Sequence, residues 1–293
     1  MPITNKYGLS TPWIRIAEQN LYDKVGWRSA TELVGPVRLA MLRDRHREHI
    51  EVDVCDMSHA ILGEAVHTLL ERAGDDAITE QRFIIDVMGK EVSMKPDRFE
   101  PEAEHLRDFK TAKVWAYVLG TKDEWVRQTN IYAHGLRQHG HTVSEISIEL
   151  LIKDWDYKGP LGQTTIPKNE YPESPIIRIP VDVWLDADVE DYLRDRVMLF
   201  MDLEDTPDNE LPICTMEERW GRPDKWAVKK KGGKRALSGG ANFETEQDAL
   251  DFAVTKNHPC DIEFRPGKST RCEHFCDAKM FCNYYLNHIN PAF

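Results

Sequence analysis

The amino-acid sequence predicts an α/β core followed by a separate, cysteine-rich C-terminal region. Between about residues 56 and 152, apolar residues recur first at helical and then at strand spacing, in the order helix, three strands, helix, strand. Near the end of the chain, three of the six cysteines lie within residues 272–282. The 293 residues are 41% hydrophobic and 30% charged, which is ordinary for a soluble globular protein and excludes collagen, coiled coils and wholesale disorder.

Charge and hydropathy restrict the classes of function that this protein can have. No stretch approaches the roughly 20 apolar residues that a membrane span requires, and residues 1–6 lack the apolar segment of a secretory signal. We therefore expect a cytoplasmic protein without a membrane partner. The net charge of −12 argues against a protein that coats nucleic acid generally, although it is compatible with a local basic groove. Cysteines in such a chain indicate metal ligands or free thiols before disulfides.

The N-terminal half is predicted from periodicity and turn residues. Residues 1–50 are expected to form a helical segment with a helix over 29–49, and a second helix covers about 56–73. Three short strands follow, at about 80–87, 91–99 and 105–111.

The elements that follow begin with a predicted capping box. Thr121 and Glu124 have the spacing of that motif and would open a helix that runs to His139 and ends at Gly140. The remaining elements are a half-buried strand at 143–152, a proline-rich loop at 159–180 and an acidic amphipathic helix at 186–205. The expected organisation is thus a core at 51–158, a loop and helix at 159–211 and the cysteine region at 212–293.

Four residues form the candidate catalytic constellation: His67, Asp97, Asp108 and Lys110. Asp108 and Lys110 are two apart on a predicted strand, so both side chains project from the same face. A hairpin-like connection can bring Asp97 beside Asp108. Two carboxylates with open coordination positions suit Mg²⁺ or Mn²⁺, which polarises a phosphodiester and lowers the pKa of bound water, while a neighbouring lysine stabilises the developing charge. An isolated Asp-x-Lys triplet is weak evidence, and a single helical histidine is more often structural.

The order of these motifs resembles a known family. Residues 63–71 (GEAVHTLLE), 96–98 (PDR), 108–112 (DFKTA) and the pair Gln128 and Tyr132 resemble the RecB-type branch of the PD-(D/E)XK nucleases. That branch includes the CRISPR-adaptation nucleases and many phage-encoded exonucleases. The resemblance implies a restriction-endonuclease-like core of the order helix, three strands, helix, strand, with a C-terminal cysteine-ligated metal region.

The resemblance also assigns roles to residues. It implies that His67, Asp97 and Asp108 bind the catalytic metal with help from the Phe109 carbonyl. It makes Lys110 the catalytic lysine and places Gln128 and Tyr132 along the site, on the following helix. Asp108 stands where many relatives carry Glu. Glu64 and Glu80 are weaker candidates, as supports for a second metal, because exposed carboxylates are the ordinary alternative.

The C-terminal cysteines predict a second metal centre. Cys272, Cys276 and Cys282 are spaced closely enough to converge, and Cys214 is the preferred fourth ligand. Cys55, Cys260 and, for zinc, His274 are the alternatives. Four thiolates hold either a [4Fe–4S] cluster or structural Zn²⁺. The tail resembles the iron–sulfur staple of RecB-type nucleases, which favours the cluster, although in those relatives the distant cysteine precedes the core and the tail often begins with x2 spacing. Buried free thiols are the remaining possibility.

A basic insert at about 222–256 lies between those cysteines. Residues 222–237 contain seven basic residues and one acidic residue, and Gly232-Gly233 would turn a hairpin. A helix at 245–256 would follow. The candidate DNA contacts are Trp226, Lys229, Lys230, Lys231, Lys234 and Arg235, with Trp220 nearby. The competing interpretation is a solvated hairpin whose tryptophans pack within the protein.

Together these features predict a metal-dependent DNA nuclease, favoured by the resemblance as an exonuclease in recombination, repair or phage genome processing. DNA is the expected partner, with a homo-oligomer or a recombination or helicase protein as a further possibility, in the host cytoplasm if the chain is phage-encoded. One alternative is a DNA-binding accessory protein without turnover. Another is a zinc-stabilised interaction protein in which Asp97 and Asp108 merely pair with Arg98 and Lys110.

Overall fold

The computed structural model describes residues 1–19, 25–74, 76–159, 166–237 and 241–291. The chain divides into two units, Met1–Thr206 and Pro207–Phe293, so the predicted segments 1–50, 51–158 and most of 159–211 belong to one unit. Residues 160–165 of the predicted loop and 238–240 of the predicted insert lie outside the described residues. No helix in the described part of the chain is long and apolar enough to cross a membrane.

The first unit is a mixed α/β structure. Its helices are α1 (Thr11–Gln19), α2 (Ala30–Val34), α3 (Val37–His46), α4 (Ser58–Glu71), α5 (Trp115–Val118), α6 (Asp123–Gln138) and α7 (Asp186–Asp202). Its strands are β1 (Ile3–Thr4), β2 (Arg28–Ser29), β3 (Val52–Asp53), β4 (Ile78–Thr79), β5 (Phe83–Val87), β6 (Lys90–Met94), β7 (Arg98–Glu100), β8 (His105–Ala112), β9 (Glu145–Ile152) and β10 (Ile176–Val181).

The main sheet of this unit has the strand order β10-β9-β8-β7-β4 among the described residues. Strands β8 and β9 are parallel, with Asp108 opposite Ile148, and the other neighbours are antiparallel. Strands β2, β6 and β5 form a separate small sheet in that order, so the three predicted strands do not lie in one sheet. The single strand predicted over 91–99 was wrong, because strand pairing is interrupted around Pro96 and the segment forms two strands, β6 and β7.

Apolar side chains of β8 and β9 form the centre of the core with helix α6. Leu106, Ile146, Ile148 and Leu150 are almost completely buried. Helix α6 lies close to β6 at Gly135, where a side chain larger than hydrogen would collide with Met94. This close approach holds α6 against the strands and thereby positions the helix face that carries Gln128 and Tyr132.

Several predicted elements were wrong in detail. The predicted helix over 29–49 is two helices, α2 and α3, because Gly35 is extended and Pro36 follows it. The capping box predicted from Thr121 and Glu124 does not form, since Lys122 occupies the N-cap and no side chain caps helix α6. The predicted loop over 159–180 contains strand β10 at the sheet edge.

The described residues of the second unit form short strands, one α-helix and three short 3₁₀ or π-helical segments, at Arg271–Phe275, Lys279–Phe281 and Tyr285–Ile289. The strands and the α-helix are β11 (Gly221–Arg222), β12 (Lys225–Lys230), β13 (Asn242–Phe243), α8 (Glu246–Val254), β14 (Cys260–Arg265) and β15 (Lys268–Ser269). Thr245 caps α8 by accepting a hydrogen bond from the backbone N–H of Asp248, so the helix predicted over 245–256 is confirmed apart from its last two residues. The hairpin predicted around Gly232-Gly233 forms, because the chain returns antiparallel to β12: Ala236 pairs with Lys229, and β13 pairs with Trp226 and Ala227 on the edge of β12 opposite β14.

Candidate active site

Strand β8 carries the central pair of the candidate site. Asp108 and Lys110 project from the same face of this strand, and Lys110 Nζ lies 2.7 Å from Asp108 Oδ2. The Asp108 side chain is only 1% exposed and the Lys110 side chain is 19% exposed. Asp108 and Lys110 therefore form an ion pair that is largely shielded from solvent.

Asp97 reaches the same place from the turn after β6. Its Oδ2 accepts a hydrogen bond from the backbone N–H of Phe109 at 2.6 Å, between the two members of the pair on β8. The Phe109 carbonyl in turn lies 3.2 Å from His67 Nε2 on helix α4. The structure therefore brings together the turn after Pro96, strand β8 and helix α4 around the backbone of one residue, Phe109.

His67 is surrounded by hydrogen-bond acceptors. Its Nδ1 lies 3.2 Å from Glu80 Oε1 and 3.4 Å from Asp97 Oδ1, while its Nε2 faces the Phe109 carbonyl. Because both ring nitrogens face oxygen atoms, the ring is best satisfied when each nitrogen carries a proton. Hydrogen bonds to Asp97 and Glu80 accordingly raise the pKa of His67 to about 10, against the opposing effect of burial.

Asp108 is an unusually placed carboxylate. Burial, with a smaller contribution from the Asp97 charge, raises its pKa to about 6 even though the Lys110 ammonium opposes the shift. Its Oδ1 atom is buried without a hydrogen-bond partner. Such an atom carries a desolvation cost that a cation would relieve.

Helix α6 holds the lysine from the other side. Gln128 Oε1 accepts from Lys110 Nζ at 3.3 Å, and Gln128 Nε2 donates to the Tyr132 hydroxyl at 2.6 Å and to Thr31 Oγ1 at 3.2 Å. Burial alone would lower the Lys110 pKa, but the charges of Asp108 and Asp97 outweigh it and hold that pKa above its ordinary value. Lys110 is therefore an ammonium ion with a fixed position.

The metal-binding potential is divided between two neighbouring places. One ligand atom each from His67, Glu80 and Asp97 lies within 4.8 Å of the others, which is compact enough for one cation. Asp108 is not in that group, but the charges of Asp97 and His67 both act on its carboxylate. One imidazole and carboxylate oxygens form a donor set that suits Mn²⁺ or Mg²⁺.

Two residues of the site were undervalued or missed in the sequence. Glu80, considered only as a support for a second metal, contacts His67 directly and is ion-paired with Lys95. It has a left-handed φ of 50°, which is uncommon outside glycine and has no sequence signature here. Thr31 reaches Gln128 from helix α2, and no pattern in the sequence connects the two.

The comparisons with known proteins leave the family open. No family model matches the chain, and no curated protein matches it. The solved structures that are similar in part include the following two. The crystal structure of SSO0001 has a TM-score of 0.44 at 17% identity over 66% of this chain and 85% of that one. A phage related exonuclease from Haemophilus somnus 129PT has a TM-score of 0.39 at 13% identity over 64% and 96%. Likenesses at this level establish neither a shared activity nor a shared family.

The second unit brings four cysteines into one neighbourhood. Burial raises the pKa of Cys214 and of Cys276 to about 12, with nearby carboxylates and the other thiols of the group adding to the shift. Cys272 and Cys282 are members of the same group. No disulfide links any of the six cysteines. Cys260 lies apart, with its sulfur 3.7 Å from His258 Nδ1.

The basic insert has both paired and unpaired cations. Lys229 is ion-paired with Glu263 at 3.1 Å, and Trp226 packs on Phe264 with ring centroids 4.9 Å apart. The remaining candidates are exposed, and no carboxylate of the described residues forms an ion pair with them: Lys230, Lys231, Lys234 and Arg235.

Proposed function

We propose that this chain is a divalent-metal-dependent deoxyribonuclease that hydrolyses phosphodiester bonds. The observation that carries the proposal is the buried Asp108, with an unsatisfied oxygen, beside the charged Lys110 and within the electrostatic reach of Asp97 and His67. A purely structural ion pair would be expected to satisfy both carboxylate oxygens. Perturbed pKa values and an unsatisfied buried oxygen together are typical of a functional site.

The residues that would hold the metal are His67, Asp97 and Asp108, with the Phe109 carbonyl, and the structure adds Glu80 as a candidate. A bound Mg²⁺ or Mn²⁺ supplies Lewis-acid polarisation of the phosphodiester and lowers the pKa of its water. His67 must lose a proton before either ring nitrogen can serve as a ligand.

Lys110 and Gln128 have proposed roles that do not require either residue to bind the metal. The Lys110 ammonium provides a fixed positive charge for the negative charge that develops on the phosphate oxygens during hydrolysis. Gln128 restrains that ammonium through Oε1 and is itself restrained by Tyr132 and Thr31. Burial and the charges of Asp108 and Asp97 raise the pKa of Tyr132, so its hydroxyl stays neutral and does not act as a base.

Exonuclease action in recombination, repair or phage genome processing is the more specific form of the proposal. It rests on the sequence resemblance of the motifs, and DNA would be the substrate and principal partner. The exposed cations at the turn after β12 are proposed to contribute DNA contacts.

A [4Fe–4S] cluster at Cys214, Cys272, Cys276 and Cys282 is the second part of the proposal. The four thiols influence one another electrostatically, which supports one shared centre. Four thiolates can hold either a [4Fe–4S] cluster or Zn²⁺, and the resemblance of the C-terminal cysteine spacing to the iron–sulfur staple of RecB-type nucleases favours the cluster.

The decisive experiment is a nuclease assay with anaerobically purified protein on end-labelled linear DNA and on circular DNA, with Mn²⁺, Mg²⁺ or EDTA. Asp108→Ala is the test variant, and Asp195→Ala, which removes an exposed carboxylate on α7, is the matched control. We expect metal-dependent degradation by the wild type and the control, and none by Asp108→Ala. The circular substrate separates exonuclease from endonuclease action. Folded protein that binds DNA but cuts neither substrate would replace this proposal with the accessory-protein function.

A further inference from the structure

A cluster of basic side chains lies at the opposite end of helix α4 from His67. Lys153 Nζ, just beyond strand β9, lies 3.3 Å from Nδ1 of His59 in the first turn of α4. Lys113 follows strand β8, and the backbone N–H of Lys153 donates to the carbonyl of its neighbour Ala112 at 2.8 Å. The side chains of His59, Lys113 and Lys153 are all exposed.

The two lysines have no acidic partner in the part of the chain that the structure describes. No carboxylate oxygen of the described residues lies within 4.0 Å of the ammonium nitrogen of Lys113 or Lys153. The adjacent carboxylate, Asp154, instead accepts a hydrogen bond from the backbone N–H of Val114 at 2.7 Å. The charge of Lys153, burial and the charge of Lys113 together lower the pKa of His59, so its imidazole stays neutral at pH 7 and Nδ1 can accept a hydrogen bond from the Lys153 ammonium.

The cluster has a defined position relative to the candidate active site. Helix α4 runs antiparallel to β8, because His67 meets Phe109 while Gly63 lies opposite Thr111. Eight residues separate His59 from His67, which is about 12 Å along the helix axis. Successive phosphates of one strand rise about 3.4 Å along a DNA duplex, so a phosphate bound at this cluster would lie a few nucleotides from one bound at His67.

We propose that Lys113 and Lys153, with His59, bind a backbone phosphate of the substrate strand a few nucleotides from the bond that is cut. The site takes a phosphodiester anion and reads no base, since the lysines offer charge without a bidentate hydrogen-bond pattern. The N-terminus of α4 contributes positive potential to the same place. This inference rests on the proposed nuclease function and adds the contact that fixes the register of the substrate strand.

The test is the salt dependence of DNA binding in EDTA, which prevents cleavage. A short fluorescein-labelled DNA duplex is titrated with the wild type, Lys113→Gln/Lys153→Gln and the matched control Lys6→Gln/Lys158→Gln, whose lysines are also exposed. For the test variant we expect binding about tenfold weaker at low salt and a slope of log K against log [salt] that is smaller by about 1, which corresponds to one lost phosphate contact. The control should retain the wild-type slope.

A second variant separates charge from local structure. Lys113→Arg/Lys153→Arg keeps both charges and should restore the wild-type slope, because phosphate neutralisation needs only the charge. An unchanged slope in Lys113→Gln/Lys153→Gln overturns the inference, and so does a loss in the arginine variant equal to that in the glutamine variant. If the wild type cuts DNA while the slope is unchanged, only the phosphate site fails. If the wild type neither binds nor cuts DNA, the proposed function fails with it.

Discussion

Asp97 and Phe109 are joined by a hydrogen bond of 2.6 Å from the backbone N–H of Phe109 to Asp97 Oδ2. This bond lies between the side chains of Asp108 and Lys110 on strand β8, and it leaves Asp97 Oδ1 facing His67. One carboxylate therefore fixes the backbone of the candidate catalytic strand and contributes to the compact group of cation ligands. Stability and activity should depend on different properties of this residue.

Substitution of Asp97 can separate those two properties. Asp97→Asn keeps an oxygen that accepts from the Phe109 N–H but removes the negative charge, so we expect near-wild-type stability and at least about a hundredfold loss of nuclease activity. Asp97→Ala leaves that buried N–H without a partner and should also cost about 1–3 kcal/mol of unfolding free energy. Urea denaturation and the end-labelled DNA assay measure the two effects. Full activity in Asp97→Asn would remove this carboxylate from the metal site.

The protonation of His67 predicts a pH dependence of the metal-free protein. Folding raises the pKa of His67 from 6.5 to about 10, so its stabilisation is complete below about pH 6.5 and is lost as the pH rises toward 10. In EDTA, we expect the melting temperature to fall across this window, and to fall less in His67→Gln. Since metal binding must displace the proton, the affinity for Mn²⁺ should rise over the same window. A melting temperature with the same pH profile in wild type and His67→Gln would contradict the assignment.

The buried pair of Asp108 and Lys110 predicts strong thermodynamic coupling. Lys110→Met leaves a buried carboxylate without its cation and should destabilise the metal-free protein by about 3 kcal/mol at pH 8, which is above the pKa of about 6 that Asp108 has beside Lys110. The double variant Asp108→Asn/Lys110→Met removes both charges, so it should be less destabilised than the sum of the single variants by at least about 1 kcal/mol. Urea denaturation of all four proteins in EDTA measures the coupling. Additive effects would show that the pair is not energetically linked.

Much of the fold was accessible from the sequence because local signals agreed with the tertiary structure. The strand predicted at 143–152 became β9, and the helix predicted from residue 121 became α6, which ends before Gly140 in a left-handed conformation. Strand β10 was hidden because Pro180 and the prolines that precede the strand suggested a loop. Pro180 is tolerated there because β10 lies at the sheet edge, where one side of the strand needs no ladder hydrogen bonds.

The candidate site was accessible only in part, for a different reason. Alternation along a strand places Asp108 and Lys110 on one face, and the structure has them in contact. Glu80 and Thr31 enter the site through tertiary packing of elements that are distant in sequence. Neither residue belongs to a local sequence pattern that would predict its contact with His67 or Gln128. Pro96 interrupts strand pairing and leaves Asp97 outside the strands. The proline is present in the sequence, but the segment around it was predicted to be one continuous strand.

The final prediction concerns the cysteine centre. Cys214→Ser and Cys276→Ser should each remove iron, sulfide and visible absorbance from anaerobically purified protein, because each deletes one of four thiolates. Cys55→Ser and Cys260→Ser are the matched controls and should keep all three, since Cys55 belongs to the other unit and Cys260 lies beside His258. Metal and sulfide analysis with an absorbance spectrum measures the outcome. Bound zinc without visible absorbance in the wild type would contradict the cluster but keep the four ligands. Iron retained in Cys214→Ser and lost in Cys260→Ser would move the fourth ligand to Cys260, where the thiol is held by His258 and by the strand that pairs with β12.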